Sequence, residues 1–348
     1  MQATGDRSLQ AKFTISLLML ALCLVALFSL TIGSSNTSLA SSLWALMQGE
    51  AIGIQEQVIL FDIRAPRTVM GLLVGASLAV SGAIMQGLFR NPLADPGLIG
   101  VSSGAGLGAV TAIVIGGLLP ISLLNSIGGF LVPIAAFLGG WGCMLILYKI
   151  ATRQGRTSVA VMLLAGLALS AFAAALSGLL IYYSNDSQLR NLTFWNLGSI
   201  AGASWSSLKV AGPLMLISLL LAPLLASDLN RLALGEAAAM HLGVSVQRLK
   251  RAAILLVGLS VGVAVAVSGA IGFVGIIVPH LLRLVIGPNH RYLLPAAALL
   301  GAIALMLADI LSRTLIAPAE LPIGIVMAIL GGPFFLYLLL RNRNLLDL

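Results

Sequence analysis

Charge is what this chain has least of. Lys, Arg, Asp and Glu make up 9% of its 348 residues, while 59% are hydrophobic, against roughly 25% charged in soluble domains. A soluble fold of this size could not cover its surface, so lipid must be the solvent. Cysteine is nearly absent as well: Cys23 and Cys143 each sit in an apolar run, without the spacing of a metal site or a disulfide framework. Only four lysines occur, at 12, 149, 209 and 250, and none follows a glycine. That excludes the GxxxxGK[ST] phosphate loop, so any ATP-driven work must draw on another polypeptide. The three histidines, His241, His280 and His290, are far apart and form no HExxH pattern; packing or interfacial roles suit them better than metal ligation.

Long apolar runs are what the chain does have. A spanning helix needs about 20 mostly apolar residues, and ten segments qualify: 13–33, 67–89, 98–119, 126–149, 158–183, 207–227, 252–271, 273–286, 292–311 and 322–340. The eighth is the weakest, with Pro279, His280 and Arg283 inside it, and is expected to be tilted, broken or buried in the bundle. The tripeptide SLA at 38–40 resembles a signal-cleavage site, but the first run is too long for a secretory signal and is read as a retained helix. With a cytoplasmic amino terminus, 14 basic residues fall on the cytoplasmic side and 5 outside, namely Arg64, Arg67, Arg190, Lys209 and Arg313. This matches the positive-inside bias with both termini cytoplasmic. The net charge of +8 and pI near 10.1 are therefore topological and give no reason to expect nucleic acid. The chain reads as one all-α polytopic domain over 1–348, with 1–12, 228–251 and 341–348 in the cytoplasm.

Small residues recur every fourth position at 71–87, 100–116, 166–178 and 258–270. That spacing keeps each set on one helix face and suits close helix packing, with a pathway-lining or dimer face as the alternative. Among acidic residues only Asp309 lies clearly within a span, and Arg313 follows at i+4, where the two can pair. A lone carboxylate with a counter-charge lacks the chain of groups a proton relay needs.

The longest internal polar stretch on the cytoplasmic side is SDLNRLALGEAAAMHLGVSVQRLKR at 227–251. It predicts a short helix over Glu236, Ala237 and Ala238, a stop at Gly243, and a second helix from about 244 through Arg248, Lys250 and Arg251. Pattern alone leaves a partner-docking element and an ordinary amphipathic connector equally open.

This loop resembles the EAA-type coupling loop of bacterial ABC importer permeases. The strings RAPRTVMGLLVGASLAVSGAIMQGLFRNPLADPGLIGVSSGAG (64–106), LALGEAAAMHLG (232–243), SGAIGFVGIIVPHLLRL (268–284) and LADILSRTLIAPAELPIGI (307–325) extend the resemblance to the FecCD family. That family imports iron-siderophores, haem and cobalamin. The resemblance implies a type II importer bundle of ten helices in the bacterial inner membrane, paired with a second copy of itself. Two ATPase subunits carrying ATP and Mg, and a periplasmic or surface-anchored binding protein, would complete it. No cofactor is expected on this chain.

Under the resemblance, Glu236, Ala237, Ala238, Gly243, Arg248 and Arg251 belong to ATPase coupling, and Arg64, Arg67 and Arg313 to binding-protein docking. Aligning on LLAG at 163–166 puts the cytoplasmic gate pair at Val159 and Ala160, while a short gap moves it to Thr157 and Ser158, whose small polar side chains suit it better. The strings at 87–106 and 192–205 look most like haem permeases, with Tyr182, Tyr183 or methionines as candidate axial ligands and an apolar, non-binding pathway as the alternative. A secondary carrier using Asp309 is the rival from another class. A membrane enzyme would need an assembled nucleophile, metal cluster or acid–base pair, and the pattern supplies none.

Overall fold

A computed structural model describes residues 7–33, 48 and 53–341; the SLA tripeptide and the tail beyond 341 lie outside them. Among the described residues eight helices are long and apolar enough to cross a membrane, and two shorter apolar ones, Val274–Ile286 and Ile323–Tyr337, bring the count to the predicted ten.

In chain order the helices are α1 (Ser8–Thr31), α2 (Ile54–Phe89), α3 (Val101–Leu118), α4 (Leu131–Ala151), α5 (Val159–Tyr182), α6 (Asp186–Leu197), α7 (Trp205–Leu232), α8 (Glu236–His241), α9 (Val246–Ser268), α10 (Val274–Ile286), α11 (His290–Thr314) and α12 (Ile323–Arg341). A two-stranded antiparallel hairpin, β1 (Thr152–Arg153) and β2 (Arg156–Thr157), joins α4 to α5.

Helix α2 is the hub. From Arg64 onward it is almost wholly buried, and it packs on α11, α9, α10 and α7. Its small-residue stripe explains how: a Cβ added at Gly75 would collide with the Gly301 backbone, and one at Gly301 with Ala79. Lipid provides little hydrophobic drive between helices, so such backbone proximity carries the association. The stripes of α3 and α9 likewise pack against α4. The outer half of the α5 stripe behaves differently, because Ala174 and Gly178 are exposed and Gly178 has open space beside it.

Two local readings are corrected, and one helix is added. The second spanning helix begins at Ile54, and its first turns include a π-helical segment, Val58–Arg64, because Arg64 and Arg67 find partners inside the bundle. The amphipathic helix α6 stands between the fifth and sixth spans, with a capping box from Asn185 and Gln188 starting it. The second helix of the 227–251 loop is not separate: it is the beginning of α9.

The short span α10 follows an irregular stretch, 269–273, that turns on Gly269 (φ 68°) and Phe273 (φ 69°). Non-helical backbone at membrane depth requires cover by protein, and Gly269 is covered by Trp195 and Gly198.

Candidate functional site

Two polar clusters mark opposite ends of the bundle. The first gathers the α1 C-terminus, the α2 N-terminus and the α11 C-terminus. Arg67 Nε donates to Asp309 Oδ1 at 2.9 Å, and its Nη1 donates to Glu320 Oε1 and Oε2 at 2.9 and 3.0 Å. Arg313 Nε lies 3.5 Å from Asp309 Oδ2, and its Nη2 donates to the Ser29 carbonyl at 2.9 Å. Ser29 and Thr68 share a hydroxyl hydrogen bond of 2.7 Å. Arg64 Nη1 donates to the last carbonyls of α1, Leu30 at 2.8 Å and Thr31 at 3.0 Å, which the helix itself leaves unpaired.

The predicted i,i+4 pair is therefore present, with Arg67 the closer partner. None of the three arginines is presented at the surface of the chain: Arg64, Arg67 and Arg313 are 3%, 5% and 4% exposed. They hold three helices together. The outward-facing acidic group in this cluster is Glu320, about one-third exposed.

At the opposite end stands the predicted coupling segment. Gly235, at φ 107°, breaks α7 from α8, and Gly243, at φ 82°, ends α8; both conformations suit glycine and strain other residues. Between them Ala239 is buried, whereas Ala237, Met240 and Leu242 face outward, joined by Leu234. These four exposed apolar residues lie close together on a short helix and its flanks, outside the spans. A cavity of about 500 Å³ opens beside it, lined by Arg156, Glu236, Met240, Gln247 and Arg248 among others.

Glu236 does not stand free at this rim. Lys250 Nζ lies 2.7 Å from Glu236 Oε1 and donates to the Thr157 carbonyl at 2.8 Å. Gln247 Oε1 accepts from the Thr157 N–H at 2.8 Å. Arg251 Nε donates to Tyr148 Oη at 3.0 Å, so this residue holds α4 to α9, while Arg248 is exposed. Thr157 is buried in β2, and Ser158 Oγ caps α5 by accepting from Val161 N–H at 3.4 Å.

Sequence reasoning missed Lys250, Gln247 and Glu320. No pattern singled out Lys250, since the other three lysines of the chain are exposed.

The three histidines do not come together. His290 Nδ1 meets Asn230 Oδ1 at 2.9 Å, tying α7 to α11, and His280 packs edge-on against Phe334. His241 ends α8 and is exposed. Tyr182 and Tyr183 form an edge-to-face pair at the end of α5, both well exposed. Among the described residues no group of three His, Cys, Asp or Glu could hold a metal. The string GLSVG at 258–262 has a nucleophile-elbow spacing, but it lies inside α9 instead of at a strand-to-helix turn.

In the loop between α2 and α3, Asp95 accepts from Gly97 N–H at 2.7 Å. Burial raises its carboxyl above the ordinary value of 3.8, and the Gly97 hydrogen bond opposes that.

A model of the FecCD transport family matches residues 19–341. The hemin transport system permease protein HmuU of Yersinia pestis is 46% identical over 331 residues, covering 94% of this chain and 96% of that protein. The vitamin B12 import system permease protein BtuC of Klebsiella pneumoniae is 41% identical over 339 residues, covering 97% and 96%. An inward-facing metal-chelate type ABC transporter superposes with a TM-score of 0.81 at 35% identity, covering 94% of this chain and 98% of that one. A PsaBC complex from Streptococcus pneumoniae, at 17% identity and a TM-score of 0.57, shares the fold.

Proposed function

The chain belongs to the FecCD transport family, as a permease of an ABC importer, and from that premise we propose that its cargo is haem. The observation that carries this is the 46% identity, over nearly full length, to a hemin permease. Cobalamin is the second reading, favoured by the 41% identity to a vitamin B12 permease, and a ferric siderophore the third. Tyr182 and Tyr183 would meet the cargo at the outer mouth.

The working unit is two copies of this chain, two ATPase subunits and an external binding protein, in the bacterial plasma membrane with both termini inside. The exposed face of α5, where Leu164, Leu167 and Phe172 are unburied beside Ala174 and Gly178, supports a second copy against that helix. The apolar face of α8, with Glu236, Arg248 and the cavity beside them, supports an ATPase seated at the inner end. ATP binding on the ATPases presses the two α8 segments, and the cytoplasmic gate at Thr157 and Ser158 responds, opening the central pathway to one side at a time. Hydrolysis resets it.

A binding protein would dock at the outer end, where Arg64, Arg67 and Arg313 fix the ends of three helices and so shape the surface it meets. The gradient-driven alternative loses its candidate group, because Asp309 is held by two arginines.

The test is import into proteoliposomes holding the complete transporter, with hemin, cyanocobalamin and a ferric siderophore each presented on the binding protein. Uptake of hemin alone, dependent on ATP, supports the reading. ATP-dependent uptake of cyanocobalamin without hemin refutes the cargo and leaves the importer intact, and uptake surviving an inactive ATPase refutes the mechanism.

A further inference from the structure

The hairpin between α4 and α5 is gripped from outside itself. Both backbone polar groups of Thr157 are satisfied by the first turns of α9: its N–H by Gln247 Oε1 at 2.8 Å and its carbonyl by Lys250 Nζ at 2.8 Å. Its hydroxyl meets Thr152 across the hairpin at 2.9 Å. The same ammonium group holds Glu236, the first residue of α8, at 2.7 Å.

Lys250 is 3% exposed at its side chain, whereas Glu236 is 39% exposed. One end of the pair is thus reachable by a partner and the other is sealed within the protein. An ammonium offers three donors, and two are committed here to elements that no covalent turn joins. Charge-assisted hydrogen bonds of this kind are short and strong, and leaving the buried ammonium without its carboxylate is costly. When α8 moves, Lys250 must therefore follow Glu236 or lose it, and the Thr157 carbonyl moves with Lys250.

We propose that Lys250 is the positioning residue that transmits displacement of α8 to the Thr157–Ser158 hairpin, with Gln247 holding the other side of the same peptide. This rests on the gate being at Thr157 and Ser158. A simple staple would stabilise the fold equally well but would not make the hairpin respond to nucleotide.

The experiment uses the permease assembled with its ATPase subunits in lipid nanodiscs, in a background of Cys23→Ala and Cys143→Ala. A single cysteine at Ser158→Cys is labelled by a membrane-impermeant maleimide, without nucleotide and with ATP plus vanadate. The parent is expected to change its labelling rate at least about threefold between the two conditions. Lys250→Met should abolish that change, and Lys250→Arg, which can still reach both oxygens, should retain at least half of it. Gln247→Met leaves the ion pair intact and should also abolish it, which decides the matter if Lys250→Met fails to assemble.

A parent that responds while both methionine variants respond equally overturns the relay and leaves the gate standing. A parent that does not respond removes the gate from this hairpin and the relay with it.

Discussion

Asp309→Ala perturbs the bundle where α2 and α11 meet at their shared end. It deletes the carboxylate that lies within salt-bridge distance of both Arg67 and Arg313, and both arginines lie at 5% exposure or less. Arg67 keeps Glu320, which reaches only one of its terminal nitrogens, and Arg313 keeps its bonds to Ser29. Removing one partner of a buried pair costs about 3–5 kcal/mol, because the remaining charge stays out of water. The expected loss lies in that range, and near its lower end given those remaining contacts. Asp309→Asn keeps an acceptor for Arg67 Nε and should lose about half as much. The triple variant Arg67→Met, Asp309→Leu and Arg313→Met removes the charges together, and should be within about 1 kcal/mol of the parent, since apolar replacement of a whole buried ion cluster is often neutral. The assay is reversible unfolding by sodium dodecyl sulfate in mixed micelles, followed by circular dichroism. Two results would refute the reasoning: an Asp309→Ala variant as stable as the parent, or a triple variant less stable than Asp309→Ala.

Three further outcomes follow from other parts of the molecule. Gly301→Val places side-chain atoms into the Gly75 backbone and Ala79, so folded monodisperse protein should be lost in size-exclusion chromatography, where Gly142→Val in α4, beside open space, should elute as the parent does. Met240→Glu puts a charge on the exposed apolar face of α8 and should weaken copurification with the ATPase about tenfold, with the permease's own unfolding midpoint unchanged. Asp95→Asn should stabilise the chain at neutral pH. Burial raises the native carboxyl above 3.8, so the native state binds the proton more tightly than the unfolded one, and stability falls as pH rises from that value through the raised one. The asparagine variant keeps the acceptor for Gly97 and should lose this dependence, measured as the unfolding midpoint against pH.

The ten spans were legible because the bilayer imposes a length, about 20 apolar residues, that little else in a sequence imitates. Their ends were less so, and for a single physical reason. Arg64 and Arg67 read as the boundary of the second span, since a charged side chain belongs in water, yet α2 begins ten residues before Arg64 because Leu30, Thr31, Asp309 and Glu320 replace that water. The partners of Arg64 and Arg67 come from segments distant in sequence, so no local pattern could announce them as it did the Asp309–Arg313 pair. The coupling segment divides the same way. Glu236, Ala237 and Gly243 were visible from composition and turn chemistry. Lys250 was not, because its partner is a backbone carbonyl 93 residues away, and every residue has one of those. Among the described residues most charged side chains are exposed, and the few buried ones serve another purpose. Asp309, Arg67, Arg313 and Lys250 each bridge elements distant in sequence, at the two ends where a partner's movement would enter the bundle. Burial of these few charges thus marks where force can cross between helices: apolar packing lets neighbouring helices slide, whereas a buried ion pair resists separation and carries displacement along.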